Sequence, residues 1–199
     1  KTIESVLNEW GINNDFIWVR GETRTNTKVY EKSGALTELN EPGPQISKEQ
    51  QEELVKKLEG YANEETLFVL AGSIPNGVDK QIYSEIIPRV HAKGAKVLLD
   101  ADGELFRNAL KEKPDIIKPN RVELEEYFGF DYRVSMEELL EAARKLQAQG
   151  IETVAVSMGK SGAMMVREGY EVKCPALSVK AHSTVGAGDA MVAALAYAW

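Results

Sequence analysis

Between residues 66 and 157, short apolar runs alternate with amphipathic stretches, and this alternation constrains the fold more than any other feature of the chain. Thr66–Ala71, Ala95–Asp100, Asp115–Lys118 and Thr153–Ser157 read as strands, apolar enough to be buried on both faces. Between them, Asp79–Ala92, Gly103–Lys111, Asn120–Phe128 and a stretch from Ser135 to Gln149 read as helices. A helix between two strands is what a parallel pairing needs, because a tight turn cannot return the chain to the same end of a sheet. The pattern predicts an α/β fold, a mostly parallel sheet flanked by helices. Ala163–Arg167 and Tyr170–Cys174, around Glu168-Gly169, predict a hairpin, and a last helix begins near Gly188. Ser47-x-x-Gln50 and Ser135-x-x-Glu138 are capping boxes; the first opens a helix to about Glu59, and Gly150 closes the helix of the second.

The first forty residues follow a different rule. Ile3–Trp10 reads as a helix stopped by Gly11, and Phe16–Arg20 as a short strand. Thr27–Tyr30 and Ala35–Leu39 flank a turn at Lys32-Ser33-Gly34. Residues 16–40 therefore predict a small β element, such as a lid, within one domain spanning 1–199.

The 199 residues suffice for one sizeable core, and 43% apolar with 28% charged residues is ordinary for a globular chain. No run has the length of a membrane span and no signal-like segment opens the chain, which points to the cytoplasm. A net charge of −7 argues against general binding to nucleic acid or to an anionic membrane. A phosphate ligand would then need local positive charge, for which Arg24, Lys28, Lys118, Arg121 and Lys160 are the candidates. The single cysteine, Cys174, excludes an internal disulfide and reads as a strand-packing residue. His91 and His182 are too isolated to suggest zinc.

Chemistry concentrates in Gly186-Ala187-Gly188-Asp189, ahead of an Ala-rich helix. With almost no side chains in the way, backbone N–H groups at a helix start can approach an anion, aided by the helix dipole. Asp189 is either a cap of that helix or a group facing whatever the anion moves to. Other turns fall at the ends of the expected strands, where open parallel sheets bind ligands. They are Gly72-Ser73-Ile74-Pro75, Asp100-Ala101-Asp102-Gly103, Lys118-Pro119-Asn120 and Ser157-Met158-Gly159-Lys160-Ser161-Gly162. Asn120 and Glu123 together also satisfy a capping box.

The string from Ser183 to Ala196 resembles the C-terminal signature of the phosphofructokinase-B branch of ribokinase-like sugar kinases. The resemblance covers nearly all of the chain, with motifs in family order. It implies that Asp189 is the catalytic base and that Gly186, Ala187 and Gly188 form the anion hole. Lys118-Pro119-Asn120-Arg121-Val122-Glu123 is similar to the family's Asn-x-x-Glu motif, in which Glu123 would meet Mg²⁺ through water. Lys118, Asn120, Ser157, Gly159, Lys160, Ser161, Gly162 and Gly188 would bind ATP, with Lys160 open between phosphate and solvent. Arg24 and Asn26, in the lid element, would meet the sugar phosphate, with Ser73 and Asp189; Arg24 alternatively guards a sheet edge.

Gly21-Glu22-Thr23-Arg24-Thr25-Asn26 and Asn40-Glu41-Pro42-Gly43 are most similar to members that convert fructose 1-phosphate to fructose 1,6-bisphosphate, with tagatose 6-phosphate as the competing acceptor. A binding module that keeps the fold without turnover is the alternative from another class. Lid strands of this family often pair between subunits, which implies a homodimer. The family's N-terminal sugar-binding segment has no counterpart, and the chain stops about three turns beyond the Gly turn. The expectation is a chain cut at both ends.

Overall fold

The computed structural model describes residues 2–30, 36–178 and 185–199. The chain divides into two compact units, residues 1–57 with 75–78, and residues 58–74 with 79–199.

In the first unit, α1 spans Thr2–Glu9 and a two-stranded antiparallel ribbon pairs β1 (Asn26–Tyr30) with β2 (Leu36–Asn40). Lys28 and Glu38 are register partners and form an ion pair at 2.8 Å. The turn expected at Lys32-Ser33-Gly34 lies outside the described residues. Helix α2 (Lys48–Tyr61) begins on the expected box: the Ser47 N–H donates to Gln50 Oε1 at 3.0 Å, and the Gln50 N–H to Ser47 Oγ at 3.3 Å.

The strand expected at Phe16–Arg20 is not formed. Residues in that stretch give their backbone acceptors to side chains of α2 instead: Gln50 Nε2 donates to the Trp18 carbonyl and Lys57 Nζ to that of Phe16. A β-branched and aromatic run has strand propensity, but a strand also needs a neighbour with matching free backbone groups.

The second unit holds a six-stranded sheet in the order β3-β4-β5-β6-β7-β8, with β3 Leu67–Ala71, β4 Lys96–Asp100, β5 Ile116–Ile117, β6 Thr153–Ser157, β7 Ala163–Arg167 and β8 Tyr170–Cys174. The first four pair in parallel and the last two add antiparallel, so the sheet is mostly parallel as expected. The crossovers carry α3 (Ile82–His91), α4 (Gly103–Leu110), α5 (Arg121–Phe128) and α6 (Met136–Ala148). Val97, Leu98, Leu99, Ile117, Val154, Ala155 and Val156 are fully buried, which is why these strands are apolar without alternation. Leu98 and its register partner Ile116 form one cluster with Val192 of α7 (Ala187–Ala198). The capping box at Ser135 is formed in both directions, as is that at Asn120.

Cys174 corrects an expectation. It is exposed at the end of the outer strand β8, where strand propensity is met without burial of the thiol.

Candidate active site

The parallel strands β3 to β6 end at one edge of the sheet, and register brings their last residues side by side. Ala71 is the register partner of Asp100, and an isolated parallel bridge joins Asn120, beyond β5, to Ser157, the last residue of β6. The turns that follow these strands therefore form a continuous rim in the second unit.

At the centre of the rim is a buried ion pair. Lys118 continues β5 by one residue, its N–H donating to the Leu99 carbonyl at 3.0 Å. Its Nζ lies 3.0 Å from Asp100 Oδ1, with the lysine side chain only 5% exposed and that of the aspartate 19%. A buried ammonium needs a counter-charge, and Asp100 supplies it. The Lys118 ammonium also reaches the start of α7: a Cβ placed on Gly188 would lie 3.6 Å from its Nζ.

Helix α7 begins from Gly186, in the left-handed region at φ +80°, with no side-chain cap among the described residues. Its first-turn N–H groups, those of Ala187, Gly188 and Asp189, precede the first intrahelical bond, Ala190 N–H to the Gly186 carbonyl at 2.9 Å. Gly186 takes the cap position, so Asp189 is a residue of the first turn and not its N-cap, and it is exposed. Ser183 and Thr184, which open the signature string, lie outside the described residues.

Asn120 and Glu123 form the next feature. The Glu123 N–H donates to Asn120 Oδ1 at 2.9 Å. In return Glu123 Oε2 accepts from the Asn120 N–H at 2.7 Å, and Oε1 from the Asn120 side chain at 2.5 Å. Burial pushes the Glu123 carboxyl above the usual carboxylate range, and the charges of Asp100 and Asp102 push the same way; the Asn120 N–H and Lys118 oppose them. Each Glu123 oxygen accepts one hydrogen bond and keeps acceptor capacity for a further donor, such as a metal-bound water.

The loop after β6 closes on itself. The Met158 N–H donates to the Gly162 carbonyl at 2.8 Å, and Gly159–Ser161 make one 3₁₀ turn. Gly162 sits at φ +88°, and a Cβ there would fall 1.9 Å from the Cys174 carbonyl oxygen, so the loop lies directly against the exit of β8. Around Gly159 the same test meets open space. Gly159, Lys160 and Ser161 are exposed.

At the β3 end, the Gly72 N–H donates to the Asp100 carbonyl at 3.2 Å, and the Tyr83 hydroxyl of α3 donates to the Ala71 carbonyl at 3.1 Å. Burial, then the Asp100 charge, raises the Tyr83 phenol above its ordinary value and keeps it a donor.

The expected residues thus separate into two groups. Ser73, Lys118, Asn120, Glu123, Ser157, the Gly159–Gly162 loop, Gly186–Gly188 and Asp189 all belong to the second unit. Arg24 and Asn26 belong to the first. Arg121, one of the candidate phosphate cations, is turned elsewhere: buried, it binds Glu125 at 2.9 Å and the Val134 carbonyl, tying α5 to the loop before α6. The Asp100–Lys118 pair and Tyr83 were not legible as partners. Only the charge closing each of two apolar strands hinted at the first, and nothing local marked the second. No cluster of three or more metal-ligating side chains occurs among the described residues, and no helix there is long and apolar enough to cross a membrane.

The profile of the pfkB family carbohydrate kinases matches residues 1–199. The chain belongs to this family. Among proteins it is similar to, the 1-phosphofructokinase of Haemophilus influenzae is 37% identical over 195 residues, covering 98% of this chain and 62% of the relative. The 1-phosphofructokinase of Escherichia coli K12 is 34% identical, with 98% and 62% covered. The crystal structure of Escherichia coli phosphofructokinase-2 in complex with fructose-6-phosphate superposes with a TM-score of 0.89 at 25% identity, over 98% of this chain and 64% of that one. The chain spans about three fifths of the length of the curated relatives it matches.

Proposed function

We propose that this protein transfers the γ-phosphoryl group of ATP to a sugar phosphate, converting fructose 1-phosphate to fructose 1,6-bisphosphate. One observation carries the reading: the open first turn of α7, with Asp189 on it, adjoins the Lys118–Asp100 pair where the parallel strands end, the edge at which open parallel sheets generally take ligands. Family membership and relatives named 1-phosphofructokinase support it.

In this reading the N–H groups of Gly186–Gly188 and the Lys118 ammonium hold the charge of the transferring group. Phosphoryl transfer depends mainly on such fixed donors and charges, together with the positioning of the reactants. Asp189 accepts the proton of the attacking sugar hydroxyl. Asn120, Ser157 and the Gly159–Gly162 loop hold the nucleotide, with Lys160 at its exposed rim. Ser73, Arg24 and Asn26 bind the sugar phosphate; Arg suits it because its planar fork matches phosphate oxygens.

Mg²⁺ fits the residues present. It keeps much of its water and needs only one or two carboxylates, and Glu123 has acceptor capacity left for such water. When bound it neutralises phosphate charge. The lid ribbon, exposed on both faces where described, pairs with that of a second subunit in this reading, since two strands alone are marginally stable. The setting is the cytoplasm.

The test measures ADP formation with ATP, Mg²⁺ and a panel of sugar phosphates. Fructose 1-phosphate should have the highest kcat/KM; preference for tagatose 6-phosphate reassigns the acceptor, and no turnover with any of them overturns the kinase reading. Asp189→Asn should lower turnover by about 10²–10⁴-fold with circular dichroism unchanged. A loss of only a few fold sinks the assigned role.

A further inference from the structure

Tyr83 lies in the first turn of α3, and only 9% of its surface is exposed. A phenol buried to this degree destabilises the fold unless its hydroxyl is bonded. The hydroxyl does not find its partner in its own helix. It reaches β3, at the Ala71 carbonyl, 3.1 Å away, with the Gly72 carbonyl at 3.5 Å. Those are the last strand residue and the first residue of the turn that carries Ser73.

The other side of this turn is held as well. The Gly72 N–H donates to the Asp100 carbonyl, and Gly72 adopts φ +83°, a left-handed conformation open to glycine at little strain. Two backbone pins therefore set the exit direction of β3: one from α3 through Tyr83, one from β4 through Asp100. β4 is the only ladder partner of β3 among the described residues. The Gly72 N–H makes the last bond to β4, and the phenol adds a bond to the Ala71 carbonyl.

We infer that Tyr83 is a positioning residue for the acceptor sugar phosphate: its hydroxyl fixes the Gly72-Ser73 turn from beneath, so that Ser73 meets the acceptor in one orientation. The inference rests on the kinase reading above, in which Ser73 is an acceptor contact. Phenylalanine would fill the same volume and remove the one O–H that the Ala71 carbonyl accepts, with the Gly72 carbonyl as its alternative acceptor. A tyrosine there, with its hydroxyl aimed at the turn and not into the core, is explained by what the turn holds.

The experiment compares the parent protein with Tyr83→Phe, alone and combined with Ser73→Ala. Tyr83→Phe should raise KM for fructose 1-phosphate by about 5–10-fold, the usual effect of one lost buried hydrogen bond. KM for ATP and kcat should stay within about twofold. In the Ser73→Ala background the effect of Tyr83→Phe should shrink to less than about twofold, because the two act through one contact. Amide hydrogen exchange at Gly72 and Ser73 should speed up in Tyr83→Phe while the interior of β4 keeps its protection. A rise in both KM values together, a full effect in the Ser73→Ala background, or unchanged exchange at the turn overturns the inference. Absence of turnover in the parent protein instead refutes the kinase reading and, with it, the acceptor role of Tyr83; the exchange data then still decide whether the phenol pins the turn.

Discussion

Glu123 shows how one residue carries a structural and a chemical demand in opposite directions. As the third residue of α5 it closes a capping box on Asn120, a backbone bond that the amide oxygen of Gln can also accept, without the second bond from the Asn120 side chain. As a charge it is held among Asp100 and Asp102 with Lys118 as counterweight, and burial raises its carboxyl above the usual range. A raised folded value means that the group favours folding while pH lies below its unfolded value of about 4.3, and that this contribution is lost as pH rises through the raised one. Glu123→Gln should therefore melt no lower than the parent at pH 7, with its advantage vanishing below the ordinary carboxylate range. Turnover should fall by about 10–100-fold if the carboxylate orients metal-bound water. Thermal melts across pH, beside a Mg²⁺ titration of activity, check both halves. A melting temperature that drops at neutral pH would mean that the charge stabilises the fold.

Among the elements, the loop between β6 and β7 is the one most dependent on packing at a distance. Its ends are fixed by the Met158–Gly162 hydrogen bond, and its place by the contact of Gly162 with the exit of β8. Any Cβ at Gly162 would overlap the Cys174 carbonyl, and φ is positive as well. Gly162→Ala should lower stability by about 2–4 kcal/mol through strain and overpacking. Gly159→Ala should cost only about 1 kcal/mol, because a left-handed residue there meets open space. Urea denaturation separates the two, and equal costs would show that the loop is not seated on β8. Where Gly162→Ala folds, KM for ATP should rise more than KM for the sugar phosphate.

Across the second unit, the two ends of the sheet divide the work. The end opposite the rim carries a charge network that ties successive strands together. Asp115 lies just before β5; it accepts from Lys96 Nζ and the Val97 N–H, both at 2.8 Å, and pairs with His91 at 2.9 Å. Glu152, before β6, bridges Lys96 to Arg167 of β7. Burial works against the Asp115 charge, but the three bonds outweigh it and hold the carboxyl below its ordinary value. Stability from such a group is present at neutral pH and lost as pH falls through the lowered value. Asp115→Asn should therefore be about 2–3 kcal/mol less stable than the parent at pH 7, where Lys96 loses the nearer of its two carboxylate partners. The difference should close in acid, below the point where the parent's own carboxylate is protonated. Denaturation curves from pH 3 to 7 test this, and a constant difference across that range would refute it.

Much of the fold was legible because its causes are local. Apolar runs with no alternation, Ser-x-x-Glu boxes and a Glu-Gly turn each act within a few residues, and the bounds of β6, β7 and β8 follow from them directly. Phe16–Arg20 failed because strand formation needs a partner, and α2 side chains take its backbone acceptors. The candidate site was legible as glycine turns and charged residues at strand ends, for which chemistry and topology agree in sequence. Which of those residues touch was not. Lys118 finds Asp100 across two strands, Tyr83 finds Ala71 across a helix–sheet interface, and Arg121 leaves the site for the Val134 carbonyl. Each pairing satisfies a buried polar group with whatever the folded chain places nearby. The chain alone thus determined most of its elements and its chemical groups, since these depend mainly on neighbours in sequence. Only the tertiary structure decided their partners, since desolvation forces every buried donor and charge to choose among groups distant along the chain.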